Sequence, residues 1–236
     1  MIKPDFGRLN RVLSSTTIAS NSDVCWREFL VVNNNFVDYC SVKVKEDEIA
    51  DLLKSLQNWT TKRTLKEYRE YDAATKKWIE VNLQLGDIVY VDFGINFVNE
   101  VSYPHPAVVI EHIKESILVV PCSSNQEKIN ESYHPIDNKE SKSLYRKVTR
   151  QDGFDGVCVL ELDKVSLINK ARVIKVQGHL NEDINVESSL FNEIKMKIFK
   201  EYLPKQYITY IKMIEENKML KGTILGLEEE LKKFLK

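Results

Sequence analysis

Histidine is the side chain best suited to move a proton at neutral pH. The chain has four, and one of them, His105, stands between two prolines in "YPHPAVVI". Proline fixes its own φ and pushes the residue before it towards extended geometry, so Pro104 and Pro106 leave His105 little freedom except at a strand entry. A second chemically useful group follows in "SILVVPCSS", where Ser123 ends an apolar run just after Pro121. If "AVVI" and "LVVPC" pair through an "EHIKES" turn, Pro106–Ile110 and Ile117–Pro121 are of equal length. His105 then falls opposite Cys122, with Ser123 just beyond. An imidazole can take and give a proton at neutral pH, and a hydroxyl at the strand end can point at a ligand. His112, His134 and His179 read as bystanders, and no pair of histidines has the spacing of metal ligands, so neither metal nor cofactor is expected.

The elements that must position these groups fall into regions of different pattern. Residues 1–44 mix polar clusters ("SSTTIASNSD", "NNN") with short apolar pieces and read as an irregular arm. Over 45–82 apolar residues recur at helical spacing (Ile49, Leu52, Leu53, Leu56, Trp59, then Leu65, Tyr68, Tyr71), with a weak point at "NWTTKRT" and a capping-box pattern at Thr64–Glu67. This region reads as one or two helices, either a packing appendage or a dimerising or autoinhibitory hairpin, with an inhibitor lying over the site as one form of the latter. From residue 83 to about 186, "GDIVYVDF", "AVVIEHI", "SILVVPC", "GVCVLEL" and "ARVIKV" are short Val- and Ile-rich runs. Their close spacing argues for a small antiparallel barrel rather than a βαβ sheet. Residues 123–156 form a long connection, and helical periodicity returns after "NEDINVESS" and runs through an amphipathic tail expected to pack on the barrel or on a partner subunit.

The 34 Lys and Arg against 35 Asp and Glu give a net charge of -1, which excludes a global field for nucleic acid. No apolar run approaches the roughly 20 residues of a membrane span, and "MIKPDFGRLNRVLSS" lacks signal-peptide character, so a cytoplasmic protein is expected. Cys25, Cys40, Cys122 and Cys158 show no C-x-x-C pair, and the latter two read as small buried hydrophobes.

Three short motifs in order then matter together: Gly86-Asp87 opening a strand, His105-Pro106 leading into an apolar strand, and Pro121-Cys122-Ser123-Ser124 ending one. A later strand carries Arg172 in "INKARVIK". Over about residues 83–203 this resembles the MazF/PemK family of toxins from type II toxin-antitoxin operons. The resemblance implies an α+β fold: a small SH3-like (CcdB/PemK-like) antiparallel barrel with flanking helices, preceded here by the helical region and followed by a C-terminal helical extension, 204–236. It also implies a metal-independent endoribonuclease acting on single-stranded RNA such as mRNA, with a cognate antitoxin as partner, as a homodimer and without a membrane. In the family an arginine before the proline and a threonine ending the later strand carry catalysis; His105 and Ser123 hold those positions here. Serine keeps the hydroxyl, whereas histidine trades the guanidinium fork for a titratable ring.

Metal-free RNA cleavage also needs positive charge. "NKESKSLYRKVTR" supplies Lys139, Lys142, Arg146, Lys147 and Arg150 around Tyr145 with Glu140 as the single acid, and Ser124 adjoins the site. Such a stretch suits phosphate contacts and base stacking, or is simply a solvated face. Residues 83–186 carry 11 basic against 15 acidic side chains, so only a local patch could hold RNA. Arg172 either points into the site or salt-bridges across the sheet, and Asn99 and Tyr103, in the loop before His105, could touch a base. A rival reading is a non-catalytic RNA- or protein-binding module on the same barrel, in the manner of a gyrase poison.

Overall fold

Apolar residues in the central strands do not alternate with polar ones, and such runs need cover on both faces of a sheet. The structure, a computed structural model describing residues 3–12, 21–96 and 99–234, shows how the cover is provided. Strands β3 (Asp87–Asp92), β4 (Pro104–Ile113) and β5 (Ser116–Ser123) form its centre. On one face Ile88, Val108, Ile110, Val120 and Cys122 pack with Phe154, with Leu160 and with helix α5 (Leu190–Tyr202). On the other, Val89, Val91, Ala107, Val109, Ile117 and Val119 pack with Tyr68, Leu83, Ile168 and Val173. The two cores share one set of strands, which is why single-face alternation is missing.

All strand pairs are antiparallel, in the order β6-β7-β5-β4-β3-β9, where β6 is Tyr145–Val148, β7 Cys158–Glu161 and β9 Val173–His179. An eighth strand, β8 (Ser166–Asn169), pairs with the first half of β5, while the last two residues of β5 pair with β7. One edge of β5 is thus divided between two partners. The α+β class and the antiparallel barrel sheet expected from the sequence hold, with β6 and β8 added from segments that lack long apolar runs.

The register corrects the equal-length count. Ala107 faces Pro121, and a bulge at Ile110 puts one extra residue into β4. The turn is the two residues Lys114 and Glu115, with Lys114 at φ 55°, not all of "EHIKES". Pro121 has no N–H to exchange, so its pair with Ala107 is a non-hydrogen-bonded one and Val108 and Val120 exchange the bonds. By the same parity Pro104 and Pro106 direct their missing donors towards β5, on a stretch of β4 that β5 does not pair. Pro121 directs its own towards the handover from β8 to β7. Each proline sits where no ladder bond is lost.

The chain divides into two units, Met1–Lys54 and Ser55–Lys236. In the first, the irregular arm is corrected: α1 (Phe6–Asn10) is followed by the 21-residue helix α2 (Asp23–Lys43). Ser22 caps α2 by accepting from the Cys25 amide, and the buried Glu28 carboxylate accepts from the Asp5 amide at 2.8 Å. The polar Asn33 and Asn34 are exposed on this helix.

Helix α3 (Glu46–Lys62) agrees with the helical reading, but its continuation does not. Residues 69–80 form a hairpin of β1 (Arg69–Asp72) and β2 (Lys77–Glu80), so Thr64–Glu67 caps nothing. Asp72 accepts from the Ala74 amide and the Thr75 hydroxyl to close the turn, and Tyr71 meets Trp78 across the strands at 5.7 Å. In the second unit, Ser55 and Asn58 donate to the buried Asp92 carboxylate at 2.7 and 3.1 Å, which fixes residues 55–62 against the end of β3. Burial pulls the Lys62 ammonium below its usual range, partly offset by Asp92 nearby, and its Nζ donates to the Val173 carbonyl.

Candidate active site

Because β5 leaves β4 after Pro121 to join β7, a gap opens between the start of β4 and the end of β5. A cavity of about 300 Å³ fills it. His105 and Pro106 form one side, Ser123 and Ser124 another, and Ile88, Cys122 and Phe154 also line it. The loop 153–158 supplies the remaining wall, including the exposed carboxylate of Asp155. His105 faces Val91 of β3 and is partly buried. The Ser123 hydroxyl accepts the Asn125 amide at 3.2 Å, and its own proton remains to be given to a ligand. Burial pushes the Cys122 thiol up, and it shares a hydrogen bond with Cys158, so the cavity holds a neutral thiol rather than a nucleophile at Cys122.

The local structure that holds this wall is explicit. Thr149 and Asp152 make a capping box around a short 3-10 turn at Arg150–Asp152, and Gly153 ends it in the left-handed region at φ 105°. The Arg150 Nε donates to the Asp155 carbonyl at 2.7 Å, placing a guanidinium behind the loop. Asp155, Arg150 as a positioning group, and Gln177 of β9, which also lines the cavity, were not distinguished by sequence. The signal available for Asp155 was its place between two glycines in "GFDGVC".

Other expected site residues are dispersed. Arg146 is corrected: it is buried, and its Nε donates to both oxygens of Glu193 at 2.9 and 3.1 Å while NH1 donates to the Lys147 carbonyl. Strand β6 points Arg146 inward with Val148, so it offers RNA no charge. Burial would raise the Glu193 carboxyl, but hydrogen bonds from Arg146 and Lys197 bring it below the usual range. Replacing Arg146 by Ala leaves that carboxylate without its main partner, and a loss of roughly 3 kcal/mol in urea unfolding is expected. Since the folded Glu193 pKa is depressed, this contribution is full above the ordinary carboxylate range and is lost as pH falls through the folded value. A titration of stability should therefore show wild type and Arg146→Ala converging in acid.

Tyr145 is partly buried beneath the Lys128 ammonium, 5.6 Å from its ring centre, and does not line the cavity. Lys147 pairs with Asp137 at 2.8 Å, yet it lines an adjoining hollow that shares Ser124 and Val157 with the cavity. Asn99 and Tyr103, both at positive φ, belong to the loop before β4 and do not line it either. Arg172 lies elsewhere: its NH1 donates to the Phe93 carbonyl at 2.9 Å and its guanidinium packs on Gly94, at the base of that loop. It lines a separate cavity of about 470 Å³ with Trp59, Lys62, Arg63 and Asp92. None of residues 55–81 lines the cavity of His105.

His134 accepts two amides through Nδ1, and His179 pairs with Asp87 at 2.9 Å beside Gly86, so both hold turns. Among the described residues no group of three or more His, Cys, Asp and Glu could hold a metal ion, and no helix is long and apolar enough to cross a membrane.

Residues 84–188 match the family of PemK-like, MazF-like toxins of type II toxin-antitoxin systems. A search of curated proteins found no match to the chain. The matched segment begins at Gln84, whose amide donates to Asp87 at the head of β3, and ends just before Ser189, the N-cap of α5. It contains every residue that lines the cavity. Over residues 84–188, the part that builds the cavity, the chain is therefore similar to the PemK-like, MazF-like toxins of type II toxin-antitoxin systems.

Proposed function

We propose that the chain is a metal-independent endoribonuclease that cleaves single-stranded RNA, acts as a homodimer and is restrained by a cognate antitoxin. The observation that carries this reading is the meeting of His105 and Ser123 at one cavity, on strands that have just separated. The 2'-oxygen of the substrate attacks phosphorus as its proton passes to a base, and the P–O5' bond breaks as an acid protonates the leaving oxygen. The products are a 2',3'-cyclic phosphate and a 5'-hydroxyl. His105 serves as acid or base, Asp155 on the loop wall is a second side chain able to carry a proton, and Ser123 donates to a non-bridging phosphoryl oxygen. Lys147, which lines the adjoining hollow, and Arg150, bonded to the loop wall, carry positive charge for the flanking phosphates, and Ser124 joins the two hollows.

Among the described residues no lysine or arginine lines the cavity itself, and this favours, as second reading, a module that binds RNA or protein without turnover. Purified protein incubated with an unstructured RNA in EDTA separates the two. Cleavage leaving cyclic phosphate ends is expected, and binding without cleavage would select the second reading. In the same assay Ser123→Ala should lower kcat roughly 100-fold, as loss of one oxyanion donor does, while Ser123→Thr should retain most of the rate.

A further inference from the structure

The last helix, α6 (Pro204–Phe234), touches the rest of its unit near its start, where Tyr207 and Tyr210 meet Phe199 of α5 edge-on at 5.8 and 5.7 Å. From Lys212 to Lys233 every residue is exposed. Those 22 residues extend about 33 Å at the helical rise, and they include Gly222 and Gly226, each about 1 kcal/mol poorer than alanine in a helix. A helix of this kind draws its stability from a packed apolar face.

The face is present. Met213, Asn217, Leu220, Ile224, Leu227 and Leu231 follow one another at alternating spacings of four and three, which is a heptad seam. The a positions are Asn217, Ile224 and Leu231, and the d positions Met213, Leu220 and Leu227. Isoleucine at a with leucine at d favours two strands, and a single asparagine at a fixes their register. Both glycines fall outside the seam, where a Cβ would meet nothing within 4 Å.

We propose that α6 forms a parallel, in-register two-stranded coiled coil with α6 of a second copy of this chain. Asn217 then meets Asn217 of the partner subunit, and Glu216 at g reaches Lys221 at the partner's e position. An antiparallel pairing on the same seam would set Asn217, whose amide nitrogen donates to the Met213 carbonyl of its own helix at 2.9 Å, against Leu227 with its amide oxygen buried and unpaired, and would set Glu216 against Glu230 and Lys221 against its own copy, two like-charge contacts. The remaining exposed apolar side chains, such as Met219 and Leu225, lie at c and b as single residues on the outer surface. The seam thus selects itself as partner, and this contact does not depend on the barrel or on cleavage.

The test is oxidative cross-linking of the full chain at micromolar concentration. Asn217→Cys places two thiols face to face at the a layer, and a covalent dimer on non-reducing gels is expected beyond the background of the native cysteines in wild type. Leu225→Cys, on the outer face of the same helix, should give only background, and adding Leu220→Glu with Leu227→Glu to Asn217→Cys should abolish the dimer. Equal cross-linking of the two cysteine variants, or none by Asn217→Cys, would overturn the pairing and leave the seam to a partner of another sequence. A covalent dimer that persists with both glutamates would overturn it as well.

Discussion

His105→Ala should lose RNA cleavage by about 10² to 10⁴-fold, the contribution of a positioned acid or base, while its melting temperature stays within a few degrees of wild type. The side chain lines a cavity and belongs to neither of the two apolar cores, so its removal takes away chemistry rather than packing. His105→Gln keeps a polar side chain of similar size without a titrating ring and should be equally impaired. His105→Arg, which restores the guanidinium of the related toxins, separates charge from proton transfer: recovery of rate with a flatter pH profile would assign the position to phosphate neutralisation. Cleavage by His105→Ala within tenfold of wild type would remove the imidazole from the mechanism. The Ser123 hydroxyl would then need another proton-carrying partner, and Asp155 on that cavity wall is a side chain able to serve.

Gly153→Ala should be the most damaging single methyl in the domain. Gly153 has φ 105°, ψ 4°, and a Cβ there would lie 2.2 Å from the His179 carbonyl oxygen, a backbone atom that cannot swing aside. Backbone strain and overpacking together cost roughly 2–5 kcal/mol, to be read from urea or thermal unfolding. The relief available to the chain is to push the loop 153–158 away from β9, which opens the wall carrying Asp155. Activity should therefore fall by more than the unfolded fraction accounts for. Gly156→Ala, three residues on, is the control, since nothing lies within 4 Å of a Cβ there and near wild-type stability is expected. Equal behaviour of the two variants would show that the close approach at Gly153 is not what sets the loop.

The central strands were legible because β3, β4 and β5 are apolar on both faces and bounded by Gly, Pro and Ser. So was the general convergence of His105 and Ser123, since two strands joined by a short turn bring their far ends together. The one-residue error in their register is a balance: the turn is two residues at Lys114–Glu115 rather than six, which shifts the pairing by two, and the bulge at Ile110, a backbone event with no side-chain signal, takes one back. Residues 65–71 were misread because spacings of three serve a helix, while here Asp72 and Thr75 close a hairpin turn. The basic segment was misjudged because a count of charges carries no parity. In β6 alternate residues face inward, which sends Arg146 to Glu193 and leaves Lys147 near the surface. Arg172 was visible as a charge, but its acceptor, the Phe93 carbonyl, lies 79 residues away in sequence. The long helix α2 escaped notice because its asparagines were read as loop formers, although their polar side chains only need an exposed face.

The prolines around His105 have one more effect. An unpaired stretch of strand in the middle of a sheet is a natural docking line for any extended peptide, including a neighbouring molecule in a crowded cell. Pro104 and Pro106 turn donor-less positions towards that gap, so an invading strand would find carbonyls but no amides to complete a ladder. The cavity is thereby kept from being stoppered by backbone, while a nucleic-acid strand, which has no need of such a ladder, meets no comparable obstacle. The same bracket that aims the imidazole also guards the opening against self-association.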